Sequence, residues 1–247
     1  MIFLTVSTRG GSLTLPSGDQ IDYTVSERDI QHPRLEIAPD GTVRIIVPPG
    51  QSGPPLINEE TGWIRSELED QRQRRRDIQH RYGNVEEAFT LWGKSYTLDI
   101  QSGSKRIDVD SERVSVRAPG AQAAMGLLHE SLRQALREAV KTIASPFCDR
   151  LQVSYETLAI RSQRTKWASC SGGDTLNFNI RCAFLPFAHL RYLVAHEVAH
   201  LLEATHNERF WKLVRTMVPD AKSRRDDLQG FWYALHHNPH WQKILDV

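Results

Sequence analysis

The sequence predicts an α+β protein in which a β-rich part with one inserted helix, residues 1–118, leads into a mixed part, residues 119–247, that carries the chemistry. Three observations predict it. Short segments rich in β-branched residues, separated by glycine and proline turns, fill the first half. After Pro119-Gly120 the apolar residues change to helical spacing. A later apolar helix then carries two histidines four residues apart, with a glutamate beside the first.

The strand-like segments of the first part are 21–25, 34–37, 43–47, 96–100 and 113–116. Asp40-Gly41 closes the second and third of these into a hairpin. A helix is expected over 58–79, with Trp63, Ile64, Leu68 and Ile78 as its apolar positions and Asn58 as its N-cap. The Gly-Pro-Pro stretch before it reads as a linker. In the second part, Leu128, Leu132, Leu136, Val140 and Ile143 mark a helix that runs to Pro146. Two strands come next, 157–162 and 175–181, around the polar loop Ser171-Gly172-Gly173-Asp174. Helices are then expected over 185–202, with Pro186 in the first turn, over 207–217 and over 225–236.

Composition narrows the class. Of 247 residues, 40% are hydrophobic and 25% charged, as in a globular chain, and no apolar run is long enough to span a bilayer. Residues 1–9 lack the basic leader and apolar core of a secretory signal. Cys148, Cys170 and Cys182 do not form a disulfide framework, which points to a reducing, cytoplasmic setting. The net charge of +1 advertises no general nucleic-acid affinity. Arg72, Arg74, Arg75, Arg76 and Arg81 are a local exception. They come after Glu67, Glu69 and Asp70, so a solvated helix face with internal ion pairs is expected, and a nucleic-acid contact is the alternative.

The chemistry concentrates in His196-Glu197-Val198-Ala199-His200. Residues four apart share a helix face, so His196 and His200 present two imidazoles to one ion. Glu197 is offset from the pair and serves as general base. A hydrolytic zinc site takes three protein ligands and leaves one position open. His206, at a turn between two anchored helices, is the expected third ligand, and Glu203 is its rival on the helix itself. Zn2+ bound there supports metal-assisted hydrolysis. Cys170 is a lesser candidate, as nucleophile or fourth ligand, beside the plainer reading of a buried thiol. His236, His237 and His240 read as an ordinary tail.

Several strings taken together resemble the YgjP-like metallopeptidase family, which is related to the SprT-like and WLM zinc metalloproteases. They are Arg-Thr-Lys-Trp-Ala-Ser-Cys-Ser (164–171), Leu176-Asn177, Pro186, the histidine–glutamate helix, and His206 with Phe210-Trp211 after it. Upstream, the 43–48 strand ending in proline, Trp63-Ile64 and Leu91-Trp92-Gly93-Lys94 extend the likeness more loosely. Ala168 stands where that family usually has glycine, and Lys166 where arginine is common, which keeps the charge but loses the fork. The resemblance implies a zincin-like core and a peptide or protein substrate. It also implies two rivals: a nucleoside triphosphate pyrophosphatase, for which Arg161, Arg164 and Lys166 suit phosphates, and a DNA-associated protease module using the Arg74 region. By analogy with other metallopeptidases, the strand over 175–180 is expected to offer its edge to an extended peptide.

Overall fold

The computed structural model describes residues 8–14, 18 and 20–246, and it divides into two compact units, Met1–Asp77 and Ile78–Val247. Residues 1–7, most of the N-terminal run weighed above as a secretory leader, lie outside the described residues.

In the first unit, β1 (Thr8–Thr14), β2 (Gln20–Glu27), β3 (Arg34–Ile37) and β4 (Val43–Val47) form one sheet in the order β1-β2-β4-β3. The β3–β4 hairpin turns where expected. Gly41 takes φ 83°, and Ala38 N–H donates to the Thr42 carbonyl at 2.8 Å. Alternation along β4 buries Val43, Ile45 and Val47 against Ile57 and Ile64. These last two lie on α1 (Pro54–Glu59) and α2 (Thr61–Tyr82), so the single expected helix is two. Pro54 and Pro55 open α1 because a first-turn residue needs no N–H partner, so the expected linker is helix. Asn58 therefore lies inside α1 and caps nothing, and Gly53 is the N-cap. On α2, Arg72 pairs with Glu69 at 3.6 Å and Arg74 with Asp70 at 2.6 Å, as a solvated helix face does.

In the second unit, β5 (Phe89–Leu91), β6 (Lys94–Ser102), β7 (Arg106–Val109) and β8 (Arg113–Ala118) form a sheet ordered β5-β6-β8-β7. Val114, Val116 and Ala118 join one core with Leu128, Leu132 and Leu136 of α3 (Ala121–Leu151). This sheet thus shares its core with the helical elements C-terminal to it, whereas sequence patterning groups it with the first part, up to residue 118. Helix α3 continues through Pro146 to Gln152, which ends it at φ 53°. Burial of Phe147 and Cys148 beyond the proline offsets the lost backbone bond.

A second sheet, ordered β10-β11-β9, contains β9 (Thr157–Arg161), β10 (Ala168–Ser171) and β11 (Thr175–Asn179). A 3-10 turn, Ile180–Phe184, leads to α4 (Phe187–Ala199), and then come α5 (Glu208–Met217), α6 (Ala221–His237) and α7 (Pro239–Leu245). The β5–β6 turn docks on the start of α4. Trp92 N–H donates to the Ala183 carbonyl at 2.7 Å, and the Trp92 ring stacks on Phe187 at 4.8 Å. No helix among the described residues is long and apolar enough to cross a membrane.

Candidate metal centre

Helix α4 is apolar on most of its surface, with Leu190, Val194, Val198 and Ala199 fully buried. That anchoring fixes the direction in which its last turn points. His196 and His200 leave the same face, and their ring centroids are 4.9 Å apart. The chain then turns, and His206 folds back until its centroid is 4.9 Å from His196 and 4.8 Å from His200. One ligand atom from each histidine lies within 4.8 Å of the others. Phe210, fully buried on α5, lies against all three rings, at 4.8 Å from His196, 4.5 Å from His200 and 4.8 Å from His206.

The turn that returns His206 is built from its own polar groups. Asn207 caps α5, its side chain accepting from Phe210 N–H at 2.9 Å. Glu203 accepts from Asn207 Nδ2 at 3.1 Å and pairs with Arg209 Nε at 2.9 Å. The rival third ligand is therefore occupied on both carboxylate oxygens and stands outside the histidine cluster. Its carbonyl oxygen lies 2.9 Å from His200 Nδ1, which puts the ring hydrogen there and leaves Nε2 as a lone pair toward the cluster. Trp211 stacks on His206 at 5.8 Å and 27°, and the Arg225 guanidinium lies 5.1 Å from the Trp211 centroid.

The donor set suits a divalent cation. Two nitrogens of a tetrahedral zinc shell, each about 2.05 Å from the ion, lie about 3.3 Å apart. His196 Nε2 and His206 Nε2 are 3.0 Å apart. Burial, aided by the neighbouring His200, His206 and Arg225, pushes His196 down to about 3, so its ring is neutral at physiological pH. Burial with His200 and Arg225 lowers His206 as well. Neutral imidazoles are the form that ligates metals.

Glu197 sits one residue past His196, only 4% exposed. Burial pushes its carboxyl up to about 7, against the lowering effects of the Cys170 backbone N–H and the Lys166 charge. Its Oε2 is buried with no hydrogen-bond partner among the described residues. An orphaned carboxylate oxygen beside three converging imidazoles is the arrangement expected of a base that meets its proton only when substrate and water are present. The histidines, Glu197 and Lys166 line one open cleft of about 520 Å³, whose far wall is strand β10.

That wall corrects the expectation for 175–180. Strand β11 is central, bonded to β10 on one side and β9 on the other, so its backbone is already paired. Of the sheet's two edge strands, β9 and β10, the one on the cleft is β10, which lies within the string 164–171 but gives little strand signal in Ala-Ser-Cys-Ser. The role of the Cys170 N–H is likewise invisible in the sequence, since backbone donors leave no trace in residue type. Among the other candidates, burial and the charges of Glu197 and Asp174 raise the Cys170 thiol, so it stays protonated, and Cys170 stands outside the histidine cluster. His236 and His237 bond through Nδ1 to the carbonyls of Trp232 and Tyr233 on their own helix.

A family model described as YgjP-like, metallopeptidase domain, matches residues 31–231. Neither curated proteins nor solved structures gave a match to the chain.

Proposed function

The chain belongs to the YgjP-like metallopeptidase family, and from that premise we propose that it is a zinc-dependent peptidase of zincin-like type, with His196, His200 and His206 as ligands and Glu197 as general base. The observation that carries this reading is the orphaned Glu197 Oε2 beside three imidazoles on one cleft wall. A bound zinc ion would supply Lewis acidity, polarising the scissile carbonyl and making water nucleophilic near neutral pH.

The protein's own groups do the rest. Glu197 takes a proton from the attacking water onto its free oxygen and passes it to the departing amine nitrogen, so its charge is restored at the end of the cycle. Its high proton affinity in the buried setting suits the proton-carrying half of that cycle. The Cys170 N–H holds the other carboxylate oxygen and keeps the group aimed across the cleft. Strand β10 offers an extended substrate its outer edge, beside that glutamate. The three free cysteines support a cytoplasmic setting.

Hydrolysis of a nucleoside triphosphate is the second reading, favoured by Lys166 on the cleft and by the exposed Arg161 and Arg164. Incubating zinc-loaded protein with a peptide library and with nucleoside triphosphates separates the two. Peptide cleavage that disappears on chelation and in Glu197→Gln supports the peptidase. Nucleotide turnover alone, with the same two dependences, replaces it.

A further inference from the structure

The cleft is electrically polar along its length. Lys166 lines one end and Asp174 the other, with β10 running between them from Ala168 to Ser171. The backbone that carries Lys166 is held firmly. Asn179, fully buried, donates through Nδ2 to the carbonyls of Gln163 and Lys166, both at 2.7 Å, and its N–H reaches the Trp167 carbonyl at 2.7 Å. Arg181 Nη1 adds a bond to the Gln163 carbonyl at 2.8 Å. This connection is therefore a preorganised platform.

The cations on and beside that platform form no close ion pair, although the Lys166 charge is felt by Glu197 across the cleft. Lys166 is exposed and has no ion pair among the described residues, and the same holds for Arg161 and Arg164. Three unpaired cations within six residues, one of them on the cleft wall, set up a positive field at that end.

Strand register supplies the direction. Asn179 N–H bonding to the Trp167 carbonyl makes 167 and 179 a hydrogen-bonded pair, so 169 with 177 and 171 with 175 are bonded inward too. The N–H and C=O groups of Ala168 and Cys170 then face out, and the Cys170 N–H meets Glu197. A peptide added to this edge in the antiparallel sense, the more stable pairing, runs opposite to β10. Its residues C-terminal to the scissile bond pass toward Lys166, and those N-terminal to it pass toward Asp174.

We infer that this cleft selects peptides bearing a carboxylate on the C-terminal side of the scissile bond, supplied by Asp, Glu or the chain terminus, with Lys166 as the specificity-determining cation. Arg161 and Arg164 reinforce it through the field they add. This rests on the peptidase reading and names its substrate class.

The test uses full-length, zinc-loaded Glu197→Gln as a binding trap for fluorescent peptides carrying Glu, Gln or Lys at successive positions. Wild-type cleavage of the same peptides, read by mass spectrometry, locates the scissile bond. Glu on the C-terminal side is expected to bind about fivefold tighter than Lys, with the preference shrinking in high salt and reversing in Glu197→Gln/Lys166→Glu. Because Lys166 is exposed, its reversal leaves the fold intact. Affinity indifferent to charge, a preference for acid on the N-terminal side, or a preference unmoved by Lys166→Glu overturns the inference. If peptides are cleaved without charge preference, the peptidase reading survives and only this inference is lost. If no peptide is bound or cleaved while nucleoside triphosphate is hydrolysed, both are lost.

Discussion

His200 Nδ1 lies 2.9 Å from the carbonyl oxygen of Glu203, and the side chain of that same glutamate is held by Arg209 and Asn207. One residue thereby sets the orientation of an imidazole through its backbone and the path of the chain toward His206 through its carboxylate. Glu203 thus shapes the centre while both of its carboxylate oxygens are turned to other partners. An outer partner of this kind typically changes metal affinity 10–100-fold when lost, without abolishing the site.

Glu203→Ala is accordingly expected to weaken zinc binding by about tenfold, at the low end of that range because the carbonyl to His200 remains. His206→Ala should weaken it far more. Competition with a chromogenic chelator measures both. A larger loss in Glu203→Ala than in His206→Ala would move the ligand role to Glu203.

Glu197 carries a pH signature in the metal-free protein. Its folded value of about 7 lies above the ordinary carboxylate value of about 4.3. Between those values the unfolded chain is ionised while the folded protein keeps its proton, so folding loses stability as pH rises through that window. Above it the full penalty, about 4 kcal/mol, is present. Glu197→Gln removes the charge, so it should raise the melting temperature of metal-free protein little at pH 4.5 and by several degrees at pH 8. Equal gaps at the two pH values would show that the carboxyl is not desolvated.

Asp227 on α6 accepts from Tyr82 Oη at 2.9 Å and from Nε2 of His189, on the helix that carries His196, at 3.1 Å, and pairs with Arg81 at 2.6 Å. A carboxylate only accepts, so the His189 hydrogen sits on Nε2, and the buried Nδ1 has no partner among the described residues. Burial lowers the His189 pKa despite Asp227. The unfolded chain therefore takes up a proton near pH 6.5 that the folded one resists, and stability falls as pH drops below about 6.5. His189→Gln should flatten denaturant midpoints between pH 6.5 and 5, whereas Asp227→Asn, which weakens hydrogen bonds to a charged acceptor, should cost about 1.5–3 kcal/mol at pH 7. An unchanged pH slope in His189→Gln would contradict the assignment.

Gly93 is irreplaceable for two reasons that act together. Its φ is 74°, and a Cβ there would lie 2.5 Å from Pro186 Cγ, at the start of the helix that carries His196. Gly93→Ala should cost about 2 kcal/mol or more. Gly62→Ala, in α2 with open space around it, should be neutral or stabilising by about 0.5–1 kcal/mol. Urea unfolding of the two variants checks the contrast, and similar effects at both positions would remove the docking role of the turn.

The centre is more legible in the sequence than the fold around it. His196, Glu197 and His200 declare themselves by helical spacing, and the Asn207 cap explains why His206 can return to them. The strands hardest to see are those whose residues carry little strand preference. β1 contains Gly10-Gly11, and β10 is Ala-Ser-Cys-Ser, so each is a strand because a neighbour pairs with it. Central and edge positions in a sheet are likewise set by pairing partners, so residue types alone do not distinguish β11 from an edge. Pro146 reads as a stop because local sterics argue for one, and the buried Phe147 beyond it outweighs them.

The most direct test is zinc content, by elemental analysis, of purified wild type beside Glu197→Gln and His206→Ala. Near-stoichiometric zinc is expected in wild type and in Glu197→Gln, where no ligand is removed, and a clear loss in His206→Ala. Wild type without zinc, or His206→Ala that keeps it in full, would contradict the three-histidine centre on which the mechanism depends.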